Sequence, residues 1–92
     1  MQATDLHSHI IERYQQLLHE RLVSRRASED YLYWVRRFLN ERDHQDAMPS
    51  AAEVARFLKA LKSDQLSSSA ERRAEVALEL LQVELMDQSE VA

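Results

Sequence analysis

The chain has no glycine among its 92 residues and a single proline, Pro49. Those two residue types supply the positive φ angles and rigid corners on which β-hairpins, glycine-rich phosphate loops and left-handed helix ends are usually built. A sequence so short of them is best suited to helices joined by polar segments, and the expectation is an all-α fold. The length fits one domain with a modest core and leaves no room for a separate regulatory region.

Apolar spacing marks four helices. Leu6, Ile10, Ile11, Tyr14, Leu17, Leu18 and Leu22 recur at three, four and seven, which predicts a helix over 5–23. A second is expected over 25–42, capped by Ser24 or Ser28, with Tyr31, Trp34, Val35, Phe38 and Leu39 facing inward. Arg26, Tyr33, Arg37 and Asn40 fall on its other side. The polar stretch Asp43 to Pro49 separates it from a third helix over 51–63. There Ser50 and Glu53 have the spacing of a capping box, and Val54, Phe57, Leu58 and Leu61 form the stripe. After Ser67, Ser68 and Ser69, a fourth helix is expected over 70–86, with Ala70, Ala74, Ala77, Leu78, Leu81 and Leu85 inward. Gln88 to Ala92 are expected to fray. The architecture implied is a compact orthogonal bundle of four helices.

The fourth helix carries a second apolar strip, Val76, Leu80 and Val83, roughly opposite the first. Either another part of the chain covers it, or it is an interface for a homodimer or a partner domain.

Several kinds of chemistry lack their residues. Cysteine is absent, which removes disulfides and thiolate sites. His7, His9, His19 and His44 include no pair four residues apart, the spacing that sets two imidazoles on one helical face, so no metal or cofactor is expected. Ser67 to Ser69 are accounted for by helix capping and have no histidine nearby in sequence, while Glu71, Glu75 and Glu79 repeat as a like-charged face. The chain alone is read as non-catalytic. No apolar run approaches the ~20 residues of a membrane span, and a cytoplasmic location is expected.

The formal net charge is -4, yet the distribution is uneven. Arg21, Arg25, Arg26, Arg36, Arg37 and Arg42 face only Glu29, Asp30 and Glu41 in the same segment. From Glu71 onward Arg72 and Arg73 stand against Glu71, Glu75, Glu79, Glu84, Asp87 and Glu90.

The segment Ser24 to Leu81 resembles the N-terminal SAM-like core-binding domain of tyrosine recombinases, of the phage-integrase and integron-integrase type. "YLYWVRRFL", Tyr31 to Leu39, is similar to the family's Tyr-x-x-Trp-[Val/Ile]-Arg-Arg-Phe helix. "EVARFL", Glu53 to Leu58, followed by a serine-rich cap and an Ala-x-x-Ala-Leu-x-x-Leu helix, keeps the family's order and spacing. The resemblance implies a helical half-clamp on double-stranded DNA, serving recombination and integration, with catalysis in a further domain. It places Arg36 and Arg37 at the family's paired-arginine positions and Arg25 and Arg26 in the basic segment before them. These four are the expected phosphate contacts, with Tyr33, Asn40, Ser69 and Arg72 as weaker ones. The family's Ser-Thr-Gln-Asn opening of the last helix is here Ser69, Ala70, Glu71 and Arg72, and Glu75 and Glu79 extend an acidic face unfavourable to phosphate. The catalytic set of arginines, lysine, histidines and tyrosine nucleophile has no counterpart. The chain reads as part of a longer integrase or a free-standing remnant; the competing reading is a helical protein-interaction module that has kept the fold and lost DNA binding.

Overall fold

Four serine- and stripe-defined segments become four α-helices in the computed structural model, which describes residues 3–42 and 48–86: α1 (Ala3–Glu20), α2 (Arg25–Glu41), α3 (Ala51–Lys62) and α4 (Ser68–Leu81). A π-helical turn, Gln82–Met86, continues α4. Among the described residues there is no strand, and no helix is long and apolar enough to cross a membrane. The expectations for His44 and for Gln88 to Ala92 lie outside the described residues.

Three helix starts are set by one device. Ser24 Oγ accepts the Ala27 N–H at 3.2 Å, Ser50 Oγ accepts that of Glu53 at 3.2 Å, and Ser67 Oγ accepts that of Ala70 at 3.2 Å. Each satisfies one of the amides that a helix start leaves without a partner. Glu53 closes the expected capping box by accepting the Ser50 N–H at 2.9 Å. Because Ser67 is the cap, α4 begins two residues earlier than expected, at Ser68.

The end of α1 corrects the sequence expectation. The helix stops at Glu20, not Val23, in a Schellman turn: the Val23 N–H reaches the Leu18 carbonyl at 3.0 Å and the Leu22 N–H reaches that of His19 at 3.1 Å. Leu22 holds the left-handed position of this turn, with φ 57°. It therefore leaves the apolar stripe to which its spacing assigns it and is 90% exposed. Left-handed helix ends thus occur without glycine; Gln65, in the α3–α4 connection, also has φ 57°. A side chain with a Cβ costs about 1–2 kcal/mol in that region.

The remaining stripes pack as their spacing requires. Ile10, Tyr14, Leu17 and Leu18 of α1, Trp34, Val35, Phe38 and Leu39 of α2, Val54, Phe57 and Leu61 of α3, and Ala74, Ala77, Leu78 and Leu81 of α4 form one buried core. Phe38 and Phe57 meet edge to face at 5.4 Å. The α2–α4 pair is the most extensive. Arg37 late in α2 reaches Asp64 just before α4, and Asp30 early in α2 faces Arg73, so α4 runs back along α2.

Tyr14 binds α1 to this pair. Its hydroxyl, fully buried, donates to the Ala77 carbonyl at 2.8 Å. Burial pushes the phenol above its usual range, which keeps it a neutral donor. Ala74 and Ala77, both fully buried, give the ring and α2 room to approach the α4 backbone.

Two stability changes of opposite sign follow. Tyr14→Phe is expected to destabilise the protein by about 1 kcal/mol through loss of a buried hydrogen bond. Leu22→Gly is expected to stabilise it by about 1 kcal/mol by relieving the left-handed backbone. Urea unfolding followed by circular dichroism measures both, and a destabilised Leu22→Gly protein would contradict the strain assigned to that turn.

Candidate nucleic-acid interface

Helix α2 is amphipathic with its apolar side fully used by the core, so its polar side is set by what remains: Arg25, Arg26, Glu29, Tyr33, Arg36, Arg37, Asn40 and Glu41. Residues 25 and 36 share one face and 26, 33, 37 and 40 the adjoining one, by the turn of ~100° per residue. Tyr33, Arg36, Arg37 and Asn40 are brought together around a shallow hollow of about 420 Å³, together with Glu29 and Glu41. Arg25 and Arg26 are exposed at the start of the helix. Ser69 and Arg72 do not join the hollow; they are exposed in the opening turns of α4, where Ser69 Oγ lies 3.4 Å from Ser67 Oγ.

The arginines of the basic segment divide into two kinds. Arg37 is engaged on several sides: its Nε donates to Glu41 at 2.8 Å, a terminal nitrogen donates to Asp64 at 3.3 Å, and the guanidinium carbon sits 5.6 Å from the Trp34 ring centroid. The hydrogen bond to Glu41 raises its pKa further, so it is a permanent cation. Tyr33, 55% exposed, stands edge-on to Trp34 at 4.9 Å and also bonds to Arg37. Arg37 thus braces Tyr33, Trp34 and the α3–α4 connection, and a phosphate would compete with two carboxylates for it. Arg42 is withdrawn from the surface, its side chain 4% exposed and bonded through Nε to Glu53 at 2.9 Å. Arg21 is ion-paired with Glu84. Arg25, Arg26 and Arg36 take part in no ion pair among the described residues.

Asp64, Glu53 and Glu84 as partners were not visible from sequence. Arg37–Glu41 is an i,i+4 pair and could be read from spacing, whereas the other contacts join residues that only the tertiary fold brings close. A local sign did exist at Glu53: it is the acid of the capping box, so its carboxylate is held at the α3 start, where the end of α2 arrives.

The apolar strip is also relocated. Val76, Leu80 and Val83 do not stand opposite the core face of α4. They line an open groove of about 360 Å³ with Arg21, Tyr31 and Glu79, between the end of α1, the first half of α2 and the end of α4. Leu80 is half-buried against the core, while Val76 and Val83 remain 40% and 51% exposed.

Among the described residues no group of histidine, aspartate and glutamate side chains could hold a metal ion. No protein-family model, curated protein or solved structure matches the chain.

The Arg42–Glu53 pair sets an acid limit on stability. Arg42 above all, through its hydrogen bond, holds the Glu53 carboxyl below its ordinary value of 4.5. A depressed folded-state value adds stability that is complete above the unfolded value and is lost as pH falls through the folded one. Thermal melts of wild type should therefore drop from about pH 5 downward. In Glu53→Gln, less stable at neutral pH, that portion of the drop should be absent; parallel pH profiles for the two proteins would refute it.

Proposed function

We propose that this chain is a non-catalytic DNA-binding module of the tyrosine-recombinase core-binding type, gripping the duplex backbone through the polar face of α2. The observation that carries the reading is the distribution of charge along that helix. Helices α3 and α4 have Glu53 and Glu71 in their first turns, but α2 has no acid there and opens on Arg25 and Arg26. Two cations at the positive end of a helix dipole are unfavourable for the isolated fold, and an anion brought there relieves both.

Arg36 supplies the second point of attachment. From residue 25 to residue 36 the helix rises about 16 Å, comparable to the ~12 Å width of the DNA major groove. Guanidinium groups at the two ends can reach phosphates on either side of the groove, and Tyr33 and Asn40 provide neutral hydrogen-bonding groups between them. Arg37 is assigned to positioning: it holds Tyr33 and the α3–α4 connection in place. Glu29 and Glu41 lower the positive potential of the hollow, and Glu75 and Glu79 make the outer side of α4 a poor phosphate surface. Binding should accordingly be weak and strongly dependent on salt. The resemblance over Ser24 to Leu81 supports the same assignment, in which strand cleavage and integration belong to a catalytic domain outside this sequence.

The competing reading, a protein-interaction module without DNA affinity, rests on the apolar groove. Anisotropy titrations on a short duplex at low salt separate the two. Wild type should bind with a log–log salt slope that Arg25→Ala/Arg36→Ala reduces by about 2, one phosphate contact being worth ~0.9. Absence of salt-dependent binding below millimolar protein would overturn the DNA assignment and leave the interaction module.

A further inference from the structure

We propose that the groove lined by Tyr31, Val76, Leu80 and Val83 is an interface between two copies of this chain, in which Leu22 of each copy fills the groove of the other. The proposal does not depend on DNA binding and stands or falls beside it.

Leu22 combines three properties that nothing in the isolated fold accounts for. It occupies the left-handed position of the α1 terminus, where glycine is the relaxed choice. Its side chain is 90% exposed, the most exposed of the large apolar residues. It also follows directly on Arg21, which forms part of the groove wall. A backbone held in a costly conformation to display a leucine to water is an arrangement found at binding sites.

The groove matches what is displayed beside it. Its volume of about 360 Å³ accommodates a leucine side chain, and its floor is the Tyr31 ring with Val76, Leu80 and Val83. Val76, Leu80 and Val83 follow the four-then-three spacing of a helix–helix seam, which suits an apolar knob entering between turns. A knob and a complementary hole adjacent on one surface meet the condition for a two-fold interface, where each residue contacts its counterpart's partner.

Charge selects a second copy over other occupants. At the rim Arg21 is already neutralised by Glu84, and Glu79 lies within the same lining. Such a rim has no excess of positive charge to draw a nucleic acid or an acidic peptide. Two copies of a chain with net charge -4 would repel through the acidic side of α4, and meet with least repulsion where cation and anion are balanced. Few exposed apolar side chains are contributed by each copy, less than a standard interface, so the dimer should be reversible.

Sedimentation velocity from low-micromolar to near-millimolar protein tests this. Wild type should pass from monomer to dimer, and Leu22→Met, which keeps an apolar side chain, should do the same. Leu22→Gly and Val83→Glu should each weaken association by at least about tenfold. Leu22→Gly is decisive because the same change relaxes the backbone: loss of the dimer together with a raised melting temperature cannot come from misfolding. Arg25→Ala/Arg36→Ala should leave association unchanged, which distinguishes this interface from the DNA surface. A wild-type protein that stays monomeric throughout, or a Leu22→Gly protein that associates as tightly as wild type, overturns the proposal.

Discussion

The bundle depends on the close approach of three helices to the backbone of α4. Tyr14 reaches the Ala77 carbonyl from α1, Trp34 to Leu39 cover the same helix from α2, and α3 packs against it beside them. Alanine at 74 and 77 makes this possible, since a longer side chain at either place would displace the ring or the neighbouring helix. A helix approached from so many directions has little surface left for solvent. What remains on α4 is the line of Glu75 and Glu79 and, toward its end, Val76 and Val83, which face the groove and not the core. The tight centre and the partly uncovered edge are two consequences of one packing choice.

The features legible in the sequence were those decided within one or two helical turns. Apolar spacing located the helices because burial on one side imposes a 3.6-residue period, and Ser24, Ser50 and Ser67 marked starts because a hydroxyl can reach an amide three residues on. The missed features were set by tertiary contacts or by backbone geometry. Leu22 fits the periodic stripe of α1, but the hydrogen bonds from Leu22 and Val23 close the helix first and turn that side chain outward. Absence of glycine was a sound guide to fold class and a poor one to helix ends, since Leu22 and Gln65 take the positive φ themselves.

Charge was similarly half legible. Six arginines from Arg21 to Arg42 look like one basic face, yet Arg21, Arg37 and Arg42 are held by Glu84, by Glu41 and Asp64, and by Glu53. Arg42 and Glu53 bind the end of α2 to the start of α3, and Arg37 binds α2 to the connection before α4. Removing either partner of the largely buried pair would strand a charge away from water. Arg25, Arg26 and Arg36 are what the fold leaves over. A surface of three cations with Glu29 and Glu41 among them has a limited capacity to hold a polyanion, and this restricts the proposed DNA contact to a supporting role within something larger.

The two proposed surfaces lie on different sides of α2. Tyr31 belongs to the apolar groove, while Tyr33, two residues and about 200° away, belongs to the polar hollow. Occupation of one therefore does not bury the other. A dimer closed through the groove would carry two copies of Arg25, Arg26 and Arg36 on a single particle. Phosphate contacts that are individually weak then become intramolecular once the first face has bound, and duplex long enough to reach both faces gains affinity with no new kind of contact. Short duplex, able to engage only one face, gains nothing from dimerisation. On this reasoning the strain at Leu22 and the surplus arginines of α2 belong to one design: a domain too weakly basic to hold DNA alone acquires a second basic face by associating with its copy.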